Sequence, residues 1–210
     1  MEQHIAMLIA DLSGYTALTE THGARSAADL IDKYISIVKK CLVGDSSLHE
    51  RTGDEIMIVS GSADNLLATA MMIGNNISKE EHFLQVHGGV HYGPVLRRNN
   101  YFFGSTVNLT SRIASKAGAG AFWCSSAMVN MLSPASGYHL KPQGTHSFKN
   151  MADEMEIFQL GSEPNCQPTI DPVCRMLILD TKKAIRHPDE PHIYFCSPHC
   201  SATYLINHLK

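Results

Sequence analysis

The amino-acid sequence predicts an α+β protein, with helices packed on a largely antiparallel sheet, on three observations. Apolar residues switch between strand-like and helix-like periods in the order β, α, β, β, α, β, β, α, β, with late additions. Neighbouring strand segments are joined by tight glycine-containing turns, which suits antiparallel pairing. A chain of 210 residues, 44% hydrophobic and 18% charged, can bury one sizeable core and a small second one.

The elements follow in turn. HIAMLIA, residues 4 to 10, reads as a buried strand, and the turn from Asp11 to Thr16 leads to a helix from about Ala24 to Cys41. In that helix Leu30, Ile31, Tyr34, Ile37, Val38 and Cys41 recur at helical spacing, so one face is apolar. SLHER and EIMIVS flank Thr52-Gly53-Asp54 as a hairpin, and a second helix fits Ala63 to Ile77. LQVHGGVHYGPVLRR alternates but is punctuated by glycine, which predicts paired strands, followed by a helix from about Gly104 to Lys116. AFWCS, a short helix, and strands near His139 to Phe148 and Glu154 to Leu160 complete a first domain over residues 1–160. GSEPNCQPT, residues 161–169, has linker composition, and a small α+β unit occupies residues 170–210.

A formal net charge of −3 gives no general basic field, so nucleic acid is not an expected partner. The N-terminus lacks a basic segment and a cleavage site, and no apolar run is long enough to span a bilayer, which predicts a cytoplasmic protein without a membrane partner. In a reducing compartment the six cysteines are thiols or metal ligands.

Two carboxylates carry the first chemical signal. Asp11 ends an apolar strand just before a helix start, where backbone N–H groups favour phosphate, and Asp54 sits at a hairpin tip. Adjacent strands would converge them on one divalent-metal site; taken singly, they read as a helix cap and a turn residue. Asn108 and Arg112 lie four residues apart, so a helix puts them on one face, as ligand contacts or as a plain surface pair.

IADLSGYTALTETHG, ERTGDEIMIVSG, VHGGVHYGPVLRRNNYFFGSTVNLTSRIASKAGAG and THSFKNMADEMEIFQL resemble, in order and spacing, the motifs of class III adenylyl and guanylyl cyclases over roughly residues 3 to 160. The resemblance implies the ferredoxin-like class III cyclase fold and a head-to-tail homodimer with sites shared between protomers. It assigns two Mg²⁺ or Mn²⁺ ions to Asp11 and Asp54, and the triphosphate of GTP or ATP to the loop of Leu12, Ser13, Gly14, Tyr15 and Thr16. It gives Asn108 the ribose and Arg112 the α-phosphate. Lys149 aligns with a lysine for the terminal phosphates, although Asn150 replaces the following glycine. At the base-reading positions, where adenylyl cyclases carry lysine and aspartate, this chain has Glu50 and Phe102. Glu50 resembles the guanylyl cyclases, and an acceptor-only carboxylate suits the N–H donors of guanine. Phe102 can stack on a purine, block its pocket or pack at an interface. The implied activity is a weak or unselective cyclase; the alternatives are an inactive nucleotide-binding regulator and a heavy-metal-sensing or trafficking protein with a vestigial cyclase fold.

In the last forty or so residues, 21 residues separate Cys174 from Cys196 and three separate Cys196 from Cys200. A short strand pair would bring the three thiols together as a site for Zn²⁺ or another thiophilic metal; otherwise they are core cysteines. DPVC, YFCS and a final cysteine three residues on resemble the YHS domain of the TRASH-like group, which implies a role in heavy-metal sensing or trafficking. Cys166, Asp171, His187, His192 and His199 lie near, and spacing selects no fourth ligand among them.

Overall fold

The computed structural model describes residues 2–149, 151, 153–161 and 168–208; Asn150 and Cys166 lie outside them. The first strand, β1 (Glu2–Leu12), is buried on both faces from Ile5 to Ala10, as its unbroken apolar run requires. The helix α1 (Tyr15–Cys41) begins earlier than the apolar spacing predicts. It reaches back across a break at Gly23 (φ 81°, ψ 168°), and apolar spacing misses these first turns because they are mostly exposed.

β2 (Ser47–Thr52) and β3 (Glu55–Ser60) form the expected hairpin about Gly53 and Asp54, with a bulge at His49. α2 (Ala63–Ile77) is capped by Ser62, whose side chain accepts from the Asn65 N–H. The segment predicted as paired strands is instead one strand of 13 residues, β4 (Val86–Arg98), which runs along β1 and ends against β5 (Tyr101–Phe103). Its glycines are contact points rather than breaks. A Cβ on Gly89 would lie 2.3 Å from the Ala114 backbone nitrogen, so glycine there lets α3 (Ser105–Lys116) rest on the sheet.

β6 (Phe122–Ser125), α4 (Ser126–Val129), β7 (Leu140–His146) and β8 (Met155–Leu160) follow. The sheet order is β2-β3-β1-β4-β6-β8-β7, antiparallel throughout except for β4 with β6. Alternate β1 residues Ala6, Leu8, Ala10 and Leu12 pack under α1 and α2, while Ile5, Met7 and Ile9 pack under α3. The α+β expectation therefore holds, with α1 and α2 on one face and α3 on the other.

The C-terminal segment forms two small ladders, β9 (Thr169–Ile170) with β10 (Leu177–Ile178) and β11 (Ile185–Arg186) with β12 (Tyr194–Phe195), before α5 (Pro198–His208). Its buried apolar side chains are few: Ile178, Phe195 and Cys200 among the described residues. No helix among the described residues is long and apolar enough to cross a membrane.

Candidate active site and thiol cluster

β1 and the β2–β3 hairpin bring Asp11 and Asp54 together. Asp11 lies across the ladder from His87 of β4, and its buried Oδ1 has no hydrogen-bond partner. Burial first, then the hydrogen bond and the charge of Asp11, push the Asp54 pKa up to about 6, against the pull of the Leu12 N–H. Beneath them Tyr34 of α1 is fully buried, and its hydroxyl is also unpartnered. Burial, followed by the charges of Asp11 and Asp54, raises its pKa far above the usual tyrosine value. Two carboxylates that repel one another beside an orphaned oxygen suit a divalent cation, which would satisfy both.

The loop from Leu12 to Thr16 leads into a helix start with no side-chain cap. Gly14 is left-handed (φ 92°) at the N-cap of α1, with no side-chain cap and no acidic residue in the first turn. The first helical N–H to find a partner is that of Leu18, on the Gly14 carbonyl, which leaves earlier donors open. The loop is fixed to β4 by the Ser13 N–H on the Gln85 carbonyl at 2.8 Å and by Ser13 Oγ against His87 Nδ1 at 3.0 Å. His87 and Tyr34 were not evident as site residues. Pairing β4 with β1 is the signal that would have found His87; Tyr34 looked like any residue of an apolar helix face.

On α3, Asn108 is exposed and Arg112 half-buried, opposite the buried Leu109, Thr110 and Ile113. Neither is joined by a hydrogen bond or ion pair to Asp11 or Asp54 among the described residues. Phe102 packs within its own chain. Its ring centroid is 4.5 Å from that of His49, with the Arg97 guanidinium 5.9 Å away. Glu50 is exposed on β2 opposite Met57, and Lys149 is exposed in the turn after buried Phe148.

In the C-terminal segment the ligand atoms of Asp171, Cys174, Cys196 and Cys200 all lie within 4.8 Å of one another. The Sγ atoms of Cys174 and Cys196 are 3.5 Å apart, and those of Cys196 and Cys200 are 3.8 Å apart. Asp171 is fully buried and organises the turn: Oδ1 accepts from the N–H groups of Val173 and Cys174, and Oδ2 accepts from that of Cys196. Burial alone would raise its pKa, but the N–H groups of Cys196, Val173 and Cys174 outweigh it and hold the pKa at about 2. Three thiols and a carboxylate form a donor set suited to a thiophilic divalent ion. His187, His192 and His199 are not in the cluster, and His187 Nδ1 instead accepts from the N–H groups of Asp189 and Glu190.

Residues 1–162 match the adenylate and guanylate cyclase catalytic domain, and the chain belongs to that family. It is 29% identical over 166 residues to an uncharacterized protein of Mycobacterium tuberculosis, a match covering 78% of this chain and 43% of that protein. It is 27% identical over 167 residues to an adenylate cyclase of Glutamicibacter nicotianae, covering 79% and 41%. The matched region thus spans about two fifths of these curated relatives. Among solved structures, the guanylyl cyclase Cya2 superposes with a TM-score of 0.69 at 19% identity, covering 79% of this chain and 96% of that one. The adenylyl cyclase CyaB of Pseudomonas aeruginosa gives 0.68 at 17%, covering 78% and 96%.

Proposed function

We propose that the protein is a nucleotide cyclase that converts a purine nucleoside triphosphate to its 3′,5′-cyclic monophosphate and pyrophosphate at the interface of a homodimer. The observation that carries this reading is the repelling Asp11–Asp54 pair beside an uncapped helix start. Asp11 and Asp54 hold two Mg²⁺ or Mn²⁺ ions, which when bound supply Lewis-acid polarisation of the 3′-hydroxyl and neutralise phosphate charge. The loop from Leu12 to Thr16 binds the triphosphate through its open N–H groups, with Ser13 kept in place by His87. Asn108 of the other protomer orients the ribose, Arg112 stabilises charge on the α-phosphate, and Lys149 meets the terminal phosphates. The 3′-oxygen bonds to the α-phosphorus as the bond to the pyrophosphate oxygen breaks, and the hydroxyl proton leaves to solvent.

Dimerisation is supported by the apolar side chains of Leu96, Tyr101 and Phe103 at the end of β4 and on β5, each more than 40% exposed. Glu50 accepts from guanine, so GTP binds at least as well as ATP; Phe102, committed to His49, adds no polar base contact and selectivity is weak. Residues 170–210 form a YHS-like unit that binds Zn²⁺ or another thiophilic ion through Cys174, Cys196 and Cys200, with Asp171 as the fourth donor.

The test is product analysis with ATP and GTP, each in Mn²⁺ and Mg²⁺, on the wild type and two variants. Asp54→Ala and Arg112→Ala should each lose at least about 100-fold in rate, and mixing them should restore part of it, because one site of the mixed dimer is whole. Failure of the mixture to recover activity, with both variants dimeric, would refute the composite site.

A further inference from the structure

We propose that metal loading of the C-terminal thiol cluster tightens nucleotide binding at the cyclase site, acting through Arg175. This rests on the metal-binding reading of the cluster. The structural warrant is that Arg175 directly follows the ligand Cys174 and makes two hydrogen bonds to the cyclase fold. Its guanidinium Nη2 donates to the Lys40 carbonyl at 3.0 Å, and its own carbonyl accepts from the Gly44 N–H at 3.0 Å. Lys40 lies in the last turn of α1, where carbonyls lack helical partners and a cation is favoured by the helix dipole. The guanidinium also acts on the buried Cys41 thiol, lowering a pKa that burial raises.

Arg175 reaches this position only in a left-handed conformation (φ 64°). The turn that imposes it is closed by the Arg175 N–H on the Asp171 carbonyl at 3.0 Å and by the Asp171 N–H on the Met176 carbonyl at 2.9 Å. Asp171 and Cys174 are both in the cluster, so ligand geometry and clamp geometry are set by one turn. The unit has few apolar side chains to hold that turn unaided, and metal binding to such a segment orders it. The two states are therefore an ordered, metal-bound turn with the clamp closed and a metal-free turn with the clamp open.

Both chain directions from the clamp lead to the carboxylate pair. Upstream, Tyr34 lies seven residues before Cys41 on α1 and sits beside Asp11 and Asp54. Downstream, β2 runs from Ser47 to the turn that carries Asp54. On its other side this connection is already fixed to rigid elements, by the Val43 N–H on Thr69 Oγ1 and by Asp45 accepting from the Gly61 N–H and Asn65 Nδ2. Closing the Arg175 clamp completes its immobilisation, which favours the preorganised site. Linkage then requires nucleotide to tighten the cluster's grip on metal by the same factor.

The test uses the full chain, reduced, with Zn²⁺ as the probe and a non-cyclisable GTP analogue in Mg²⁺. Zn²⁺ should bind one per chain, slow exchange of the Gly44 amide at least about tenfold, and tighten analogue binding about fivefold or more. Analogue should tighten Zn²⁺ binding equally, as read by competition with a chromophoric chelator. Arg175→Gly suits the left-handed backbone and should keep one Zn²⁺ per chain while abolishing both cross-effects. Stoichiometric Zn²⁺ with unchanged Gly44 exchange and analogue affinity overturns the coupling and leaves the metal site standing; no bound Zn²⁺ overturns the metal site itself. The Gly44 measurement needs no variant, so it decides even if Arg175→Gly does not fold. Persistence of the cross-effects in a folded Arg175→Gly protein removes the Arg175 guanidinium from the route.

Discussion

Asp54 is held in a state that folding alone does not favour. Its folded-state pKa of about 6 lies above the ordinary 3.8, through burial first and then Asp11, so folding takes up a proton between about pH 4 and 6. The metal-free protein therefore carries a penalty above about pH 6 that is relieved as pH falls. Asp54 is partly exposed, and after screening the penalty is about 1 kcal/mol. His87 works in the opposite sense, since burial lowers its pKa against the charge of Asp54, so the informative quantity is wild type minus Asp54→Asn. Without divalent ions, thermal denaturation should show Asp54→Asn more stable than wild type by about that amount at pH 7.5, by about half as much at pH 5 and no longer so near pH 3; saturating Mn²⁺ should erase the advantage at pH 7.5. A variant less stable at pH 7.5 would mean that the pair is not repelling. That the two aspartates lie side by side was legible from a strand end and a hairpin tip. The buried Tyr34 hydroxyl was not, because helical periodicity registers a tyrosine as apolar and says nothing of its polar end.

At the scale of elements, apolar period and turn residues locate the β2–β3 hairpin, α2 and α3 within a residue, because each is bounded by a cap, a turn or a glycine, and place β1 two residues short at each end. The period fails where glycine has a second use. In β4, Gly88 and Gly89 looked like turn residues, yet they sit mid-strand because neighbouring elements come too close for any side chain. Gly89 shows how strictly: an added Cβ would fall 2.3 Å from Ala114 N and 2.5 Å from the Thr110 carbonyl oxygen, both backbone atoms of α3 that cannot swing aside. Gly89→Ala must therefore lift or tilt α3. Overpacking of this kind costs about 1 to 3 kcal/mol, and denaturant unfolding should show a loss in that range. As α3 carries Asn108 and Arg112, activity should fall further than stability explains, by tenfold or more in rate for a displacement of about 1 Å. Full activity in a folded Gly89→Ala protein would show that the placement of α3 is not critical.

Over the whole molecule, the cyclase fold and the C-terminal segment meet at Arg175, a contact no sequence pattern announces because it joins residues 135 positions apart. The three thiols were legible from spacing; Asp171 as their companion was not, since what distinguishes it from the nearby histidines is the set of N–H groups from Val173, Cys174 and Cys196 around its carboxylate. That carboxylate has a measurable effect on the metal chemistry. It is the foremost influence pushing the Cys196 thiol up to about 12, so without metal that thiol keeps its proton at neutral pH. Metal must displace it, and each thiol that becomes a thiolate releases one proton, so affinity rises up to tenfold per pH unit for each. With three thiols, Zn²⁺ affinity at pH 6.5 should be about 100- to 1,000-fold weaker than at pH 7.5, with two to three protons released per ion by calorimetry in buffers of different ionisation enthalpy. Asp171→Asn keeps the shape but removes a charged acceptor from three N–H groups, which should destabilise the turn by about 2 kcal/mol and weaken Zn²⁺ binding. Proton release near zero, or affinity flat across that range, would mean that the sulfurs do not bind the ion as thiolates and that packing against α1, not metal, holds the segment in place.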